Sequence, residues 1–462
     1  MRFRGMFALI VGGFTLFSIA DGGEKSPLNV ARPNVVILFI DDFGWGDPSC
    51  YGNQLIKTPH IDQMAKEGIR FTQGYVASPI CSPSRCGLIT GHFPARWNIT
   101  SYLQTKAGNK ACEMADFLDP KAPSLPRILK EAGYATAHIG KWHLGGGRDV
   151  TNAPKFREYG YDLGLGTYES PEPAAPLGLK TVPWGPQDQL EPQQVPRHAR
   201  TEWMIDQTLA FINRHKDQPC FVNLWLDDTH TPFSPSEQQI NAVRAEGDSP
   251  QKTRYKAVMV AMDHQIKRLL DGLRKTNTLV LLVGDNGASP PFERERSGGL
   301  RGQKLSLYEG GVRVPFIAWW PGVVQVGSTD ESTIFSTLDF VPTLATICQA
   351  KRPRDYQSDG EDNSAALLGH RPVREKPLFW EYGRNSTSFA YPKDPKHRSP
   401  NLAVREGKWK LLINADGSGA ELYDLDKDRG EQHNLAKEQP KLTIRLSDLL
   451  MKWRKNLPAV EK

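Results

Sequence analysis

Long apolar runs alternate with amphipathic segments over most of the chain. Residues 35–40 are apolar at every position and rich in branched side chains, which predicts a strand buried on both faces. Similar runs predict three more strands, over residues 134–139, 221–226 and 278–283. Strands of this kind are typical of parallel sheets, because both faces of such a sheet are covered.

Helical patterns separate these strands. Thr58-Pro59 predicts the start of a helix that ends at Gly68, and residues 124–132 predict a second helix that ends at Gly133. Apolar residues from Val258 to Leu273 fall at helical spacing and predict a third helix. The alternation predicts an α/β fold with a large, mostly parallel sheet sandwiched by helices.

The pattern changes near residue 377. Short strand-like runs at 402–405, 409–413 and 422–425 are followed by a helical pattern over 441–455. We therefore predict an α/β domain over residues 33–376. A smaller C-terminal α+β subdomain, with an antiparallel sheet and a closing helix, is predicted over residues 377–462.

The N-terminus has the features of a signal peptide. Arg2 and Arg4 precede an apolar stretch over residues 6–19, and Ser18-Ile19-Ala20 forms a small-x-small cleavage site. We expect a signal peptide over residues 1–20, a linker over 21–32, and export to the periplasm or the outside. A permanent membrane anchor is the alternative, but the stretch is shorter than the ~20 residues of a membrane span. We expect no stable membrane insertion.

A segment rich in proline interrupts the α/β pattern. Residues 169–196 contain seven prolines and little periodic apolar pattern, which predicts a long ordered surface loop. A functional loop and a tolerated insertion both remain open for this segment.

Charge and cysteine content narrow the function further. The net charge is +6 over 462 residues, without runs of lysine and arginine, so we expect no nucleic-acid partner. Six cysteines are too few for a disulfide framework in a chain of this length, although export would permit disulfides.

Polar side chains follow each of the four predicted strands, where parallel sheets bind their ligands. These segments are Asp41-Asp42, Gly140-Lys141-Trp142-His143, Asp227-Asp228-Thr229-His230 and Gly284-Asp285-Asn286-Gly287. Each segment alone also fits a strand-end cap or a turn. Together, the oxygen ligands of Asp41, Asp42, Asp285 and Asn286 indicate a hard cation. Calcium is favoured over magnesium, because it accepts more oxygen ligands.

Cys81-Ser82-Pro83-Ser84-Arg85 carries the most specific signal. It matches the Cys-x-Pro-x-Arg signature of the formylglycine-dependent (type I) sulfatases, and the chain resembles that family of the alkaline phosphatase superfamily over residues 33–435. Further matching motifs occur in the family's order: Pro33-Asn34, Asp41-Asp42, Gly91, Gly140-Lys141-Trp142-His143-Leu144-Gly145, Gly302-x-Lys304, Glu309-Gly310-Gly311-x-Arg313-x-Pro315 and Leu422-Tyr423-Asp424-Leu425.

The resemblance implies a sulfuric ester hydrolase that acts on a sulfated carbohydrate or an aryl sulfate. It implies that a maturation enzyme converts Cys81 to formylglycine, whose hydrate attacks sulfur with one hydroxyl and releases sulfate by elimination through the other. The resemblance also implies one calcium ion, held by Asp41, Asp42, residue 81, Asp285 and Asn286. Arg85 would hold the nucleophile, and Lys141 and Lys304 would contact the sulfate. His143 would deprotonate the second hydroxyl, and His230 would protonate the leaving oxygen.

Two other functions stay open. A phosphatase, phosphodiesterase or phosphonate hydrolase of the same broad fold is one, although such sites usually have two metals and more histidine ligands. A secreted protein that binds sulfated glycans without turnover is the other. Arg148, Asp149, Trp184 and Asp228 are further pocket candidates, but an ordinary surface role explains them better.

Overall fold

The computed structural model describes residues 31–167, 178–183 and 193–458. The predicted signal peptide, most of the linker, Trp184 and parts of segment 169–196 lie outside the described residues. Eleven strands form the main sheet: β1 (Asn34–Ile40), β2 (Ile69–Tyr75), β3 (Ala135–Lys141), β4 (Leu163–Thr167), β5 (Gly178–Pro183), β6 (Gln193–Pro196), β7 (Cys220–Leu226), β8 (Thr278–Gly284), β9 (Arg313–Trp319), β10 (Ser328–Asp330) and β11 (Phe335–Ser336).

The centre of this sheet is parallel, as the sequence predicts. Strands lie in the order β8-β1-β7-β3-β4, and every neighbouring pair in that group is parallel. Ile40 at the end of β1 pairs with Leu226 of β7 and Gly284 of β8. The three strands therefore end at the same level, and the polar residues that follow them meet at one edge of the sheet.

The edges of the sheet depart from a purely parallel arrangement. β9 runs antiparallel to both β8 and β2, and β5 and β6 form an antiparallel extension beyond β4. The prediction of a continuous loop over residues 169–196 is therefore wrong for 178–183 and 193–196. Proline weakens the strand signal there, but edge strands tolerate proline because one side of the strand needs no ladder hydrogen bonds.

Helices cover the main sheet at the positions that the sequence pattern predicts, and others join them. The α-helices are α1 (Pro59–Glu67), α2 (Cys81–Thr90), α3 (Lys106–Ala111), α4 (Leu125–Glu131), α5 (Arg200–Arg214), α6 (Glu237–Val243), α7 (Pro250–Leu273), α8 (Glu293–Arg296), α9 (Glu309–Val312), α10 (Phe340–Ile347), α11 (Ser364–Leu367) and α12 (Pro440–Lys455). Short 3-10 helices cover Ser49–Tyr51, Pro94–Trp97, Phe156–Tyr159, Arg197–Ala199, Thr337–Asp339 and Pro395–His397. Thr58 precedes α1 as predicted, but its hydroxyl accepts from Ser49 N at 2.9 Å instead of capping the helix.

A separate antiparallel sheet lies in the C-terminal part. Its strands are β12 (Leu378–Glu381), β13 (Leu402–Glu406), β14 (Trp409–Ile413) and β15 (Glu421–Asp424), and α12 contacts β13 and β14. The α/β fold class with a second sheet is thus confirmed. Residues from Ala31 onward form one compact unit, so the boundary at residue 376 stays a prediction. Among the described residues, none of the helices combines the length and apolar character of a membrane span.

Candidate active site

Three acidic residues meet where β1 and β8 end. Asp41 and Asp42 follow β1, and Asp42 takes a left-handed backbone conformation with φ of +55° that turns the chain sharply. The backbone N–H of Asp42 donates to Asp285 Oδ1 at 2.9 Å, and Asn286 Nδ2 donates to Asp42 Oδ1 at 2.8 Å. All four side chains are fully buried, so the two strand ends form one acidic cluster.

Cys81 is the first residue of α2, at the positive end of the helix. Ile80 before it is extended, and Arg85 lies one turn further along, so Cys81 and Arg85 share a helix face. Burial raises the pKa of the Cys81 thiol to about 12, against the lowering effect of Lys141 and Lys304. At neutral pH the unmodified side chain is therefore an uncharged thiol.

Arg85 joins the helix to the acidic cluster. Its Nη2 lies 2.6 Å from Asp285 Oδ2 and 3.2 Å from Asp41 Oδ1, and its Nη1 donates to the backbone oxygen of Lys141 at 3.0 Å. The guanidinium carbon is 5.0 Å from the ring centroid of Trp225. A buried arginine with this many partners is fixed in place and in turn fixes the carboxylates around it.

Two lysines reach the same cluster from different elements. Lys141 ends β3, and its Nζ lies 2.6 Å from Asp41 Oδ2. Lys304 lies in the loop before α9, and its Nζ lies 2.7 Å from Asp42 Oδ1. Burial alone would lower the pKa of each ammonium, but Asp41 beside Lys141 and Asp42 beside Lys304 raise it. Both lysines are therefore charged at neutral pH.

The two predicted histidines come from different strand ends, His143 after β3 and His230 after β7. His143, with φ of +53°, places Nε2 at 3.2 Å from the backbone oxygen of Leu103. His230 donates from Nδ1 to Thr231 O at 2.7 Å and places Nε2 at 3.7 Å from Asp42 Oδ2. Burial, together with Lys304, lowers the pKa of His230 to about 3. Burial and Lys141 lower the pKa of His143 well below its usual value.

Several of the predicted ligand atoms for a hard cation lie close together. Ligand atoms of Asp41, Asp42, Cys81 and His230 all lie within 4.8 Å of one another. Asp285, another predicted ligand, accepts hydrogen bonds from Asp42 N and from Arg85 with its two oxygens. The carbonyl oxygen of Asn286 is buried and has no hydrogen-bond partner among the described residues, as expected of an atom reserved for a cation. Burial and Asp41 raise the pKa of Asp285 to about 8, and a bound divalent cation would lower it.

A buried ion pair that the sequence does not suggest supports the backbone turn at Asp41 and Asp42. Arg296 bonds both carboxylate oxygens of Asp47, at 2.8 and 2.9 Å, and donates to the backbone oxygen of Asp42 at 2.6 Å. Both side chains are fully buried. Thr229 donates to the backbone oxygen of Asp41 at 2.5 Å. Asp47 and Arg296 stand outside the motifs of the sequence analysis, so only the folded arrangement identifies this ion pair.

The additional pocket candidates have other contacts. Arg148 and Asp149 are exposed, and Asp149 Oδ1 accepts from Lys106 N at 2.9 Å. The Asp228 carboxylate accepts a hydrogen bond from Thr201, and burial raises the pKa of Asp228 to about 7. The carboxylates of Asp149 and Asp228 therefore bond to groups outside the acidic cluster.

Comparison with known proteins agrees with this geometry. The sulfatase family model matches residues 33–350, and a model described as N-sulphoglucosamine sulphohydrolase, C-terminal, matches residues 302–456. N-acetylgalactosamine-6-O-sulfatase of Bacteroides thetaiotaomicron is 30% identical, over 93% of this chain and 94% of that protein. Human arylsulfatase A is 31% identical, over 88% of this chain and 84% of that protein.

Solved structures share the fold. A protein called Ps i-CgsB, in complex with k-i-k-neocarrahexaose, superposes with a TM-score of 0.76 at 24% identity, over 93% of this chain and 94% of that one. A second solved structure, of a protein from glycosaminoglycan metabolism in Bacteroides thetaiotaomicron, superposes with a TM-score of 0.72 at 25% identity. The superposition covers 92% of this chain and 100% of that one. The family match over most of the chain, and relatives of about 30% identity along nearly its full length, place the protein in the sulfatase family as a sulfate-ester hydrolase.

Proposed function

We propose that this sulfatase removes sulfate from an exposed sulfated sugar, with a formylglycine made from Cys81 and one calcium ion. The observation that carries the proposal is the convergence of Arg85, Lys141 and Lys304, from three separate elements, on the acidic cluster beside residue 81. A sulfate ester is an anion, so an approaching nucleophile meets negative oxygens. Fixed cations at the reacting group reduce that repulsion.

Calcium would be held by Asp41, Asp42 and the free carbonyl oxygen of Asn286, with residue 81 and Asp285 completing the predicted set. When bound, the ion would polarise a sulfate oxygen and favour an ionised nucleophile. Three carboxylates face three basic side chains, so a divalent cation leaves a net positive site, which suits a sulfate monoester anion.

The residues of the chain have distinct tasks in this proposal. Lys141 and Lys304 would bind the sulfate oxygens from two sides and orient the sulfur toward residue 81. Arg85 would hold the nucleophile, because it lies on the same helix face one turn away. The formylglycine hydrate would supply two hydroxyls on one carbon, and the N-terminus of α2 favours negative charge there. The high pKa of the unmodified thiol is consistent with a need for conversion.

The histidines would move protons at two different points. His143, on the Lys141 side, would accept the proton of the second hydroxyl. His230 would give a proton from Nε2 to the leaving oxygen, since Nδ1 is engaged with Thr231. The lowered pKa of His230 makes its imidazolium a strong acid. The negative charge of a bound substrate would raise that pKa, so His230 would take up a proton when the substrate binds.

The substrate class rests on the relatives. Two relatives named N-acetylgalactosamine-6-O-sulfatase and N-acetylgalactosamine-6-sulfatase cover 93% and 78% of the chain, and a structural neighbour is described in complex with D-glucosamine-2-N,6-O-disulfate. We propose a sugar sulfatase of this type, exported after signal-peptide removal and matured by a formylglycine-generating enzyme. N-acetylgalactosamine 6-sulfate is the first sugar to test.

The test is release of inorganic sulfate from a panel of sulfated monosaccharides by protein co-expressed with a maturation enzyme. The expected result is turnover of at least one 6-sulfated sugar and none by Lys141→Ala. A phosphate monoester and a phosphonate ester serve as matched comparisons, and faster turnover of either would favour the phosphatase alternative. Binding of the sulfated sugars without turnover, by protein whose Cys81 is converted, would favour the glycan-binding alternative.

A further inference from the structure

The loop that carries Lys304 has both of its ends tied to one strand of the second sheet. The guanidinium carbon of Arg301 lies 3.7 Å from the ring centroid of Tyr308. Arg301 Nη1 donates to Tyr423 Oη at 2.8 Å and lies 3.4 Å from Glu421 Oε2. Tyr308 Oη donates to the Glu421 carboxylate at 2.9 Å. Both acceptors belong to β15, so the two loop ends meet at a single point outside the main sheet.

Between these ends, the loop is held against the catalytic side of the molecule. Lys304 N donates to Ala288 O at 3.0 Å, and Leu305 N donates to Pro79 O at 2.9 Å. Leu305 has φ of +73°, a conformation that a branched side chain adopts only when its surroundings impose it. The imposed turn brings Lys304 Nζ to within 2.7 Å of Asp42. The loop is therefore constrained from the second sheet on one side and from the active site on the other.

We propose that Arg301, Tyr308 and Glu421 form a clamp that positions Lys304, so that the second sheet sets the geometry of sulfate binding. The inference rests on the proposed function, in which Lys304 contacts the sulfate. A lysine side chain is flexible, so its backbone must be placed accurately for its ammonium to meet a reacting group. The clamp side chains bond to one another and to Tyr423, outside the acidic cluster, so they act through Lys304 and are positioning residues.

The exposure of the clamp distinguishes positioning from a general structural role. The side chains of Arg301 and Glu421 are 27% and 23% exposed. Partly exposed ion pairs contribute little to global stability. Removing this pair should therefore leave the unfolding transition almost unchanged while it loosens the loop. Removal of a residue that served only the stability of the fold would instead lower the unfolding midpoint and leave kcat/KM of the folded protein almost unchanged.

The experiment is a double-mutant cycle with kcat, KM and the unfolding midpoint as readouts. Arg301→Met is made in the wild-type and the Lys304→Ala backgrounds, and sulfate release is measured with one substrate. We expect Arg301→Met to lower kcat/KM about tenfold in the wild type and by less than about twofold where Lys304 is already absent. Tyr308→Phe, which removes one hydroxyl, is the milder variant should Arg301→Met fail to fold. Arg445→Met, which removes an exposed arginine–glutamate pair between α12 and β13 of the second sheet, is the matched control and should change nothing.

Each outcome decides the inference. Equal losses in the two backgrounds would mean that Arg301 acts independently of Lys304, and this would overturn the clamp while leaving the proposed function intact. Full activity of Lys304→Ala would overturn the sulfate-binding role of that lysine, and the clamp with it. The clamp is supported if Arg301→Met lowers kcat/KM in the wild type but not in the Lys304→Ala background, and if the unfolding midpoint is unchanged.

Discussion

A buried charge cluster at the junction of the two sheets makes stability depend on pH in a defined direction. Lys410 Nζ lies 2.9 Å from Glu309 Oε1 and 3.0 Å from Glu431 Oε1, and all three side chains are fully buried. Glu309 has further partners in Tyr75 and Arg313. Burial, with Glu309 nearby, raises the pKa of Glu431 to about 7 despite Lys410, because two carboxylates share one ammonium.

The perturbation is Glu431→Gln, which keeps the shape and removes the titration. The folded pKa of Glu431 is raised above its ordinary value of 4.5, so its contribution to stability is fully present below pH 4.5 and is lost as pH rises through about 7. At about 1.4 kcal/mol per pH unit, the free energy of unfolding of the wild type should fall relative to Glu431→Gln by up to about 3 kcal/mol between pH 5 and pH 8.

Urea unfolding at 25 °C, followed by tryptophan fluorescence at constant ionic strength and saturating calcium, measures this difference. A flat difference between the two proteins would refute the reasoning. A wild type that gains stability as pH rises would show that the Lys410 ion pair outweighs burial. Lys410→Met gives a second check. It should cost about 3–5 kcal/mol at pH 8 and less at pH 5, where Glu431 can be protonated.

Three other perturbations test the acidic cluster and the residues packed around it. Arg296→Met leaves the Asp47 carboxylate buried without its partner and should cost about 3–5 kcal/mol in urea unfolding; a cost below about 1 kcal/mol would contradict the role given to the pair. Gly287→Ala places a Cβ 1.9 Å from Gly310 O, so the backbone beside Asn286 must shift and kcat/KM should fall about 100-fold. An unchanged kcat/KM would show that this close packing does not determine the geometry of the site. Calcium at 100 times the wild-type dissociation constant should stabilise the wild type by about 2.7 kcal/mol, and the same concentration should stabilise Asn286→Ala by less. Thermal unfolding with and without a chelator measures both effects, and equal effects would remove Asn286 from the ligand set.

The parallel core of the fold could be predicted from the sequence because its strands are buried on both faces. Residues 35–40 are apolar throughout, and residues 221–226 and 278–283 are apolar except at Asn223 and Thr278. Each run lies within a strand of the central sheet. The antiparallel direction of β9 could not be predicted in this way, because a strand buried on both faces is apolar whether it runs parallel or antiparallel to its neighbours. The strands in segment 169–196 were missed because proline masks the alternating pattern at a sheet edge.

The candidate site is predictable where its residues directly follow strands. Asp41, Asp42, Lys141 and His230 come within a few residues of strand ends, and parallel strands bring those ends together. Lys304 comes from a loop and was found only through its motif. Arg296 and the Arg301 clamp have partners more than 100 residues away in sequence, so their contacts depend on the complete fold.

Sulfate release by paired samples of wild type and Cys81→Ala tests the central claim most directly. Both are co-expressed with a maturation enzyme and assayed on a chromogenic aryl sulfate and on N-acetylgalactosamine 6-sulfate, and the peptide mass across position 81 is determined in the wild type. The account predicts an aldehyde in place of the Cys81 thiol, sulfate release by the wild type from at least one substrate, and none by Cys81→Ala. Equal sulfate release by both proteins, or turnover by wild type that retains a plain thiol, would contradict it.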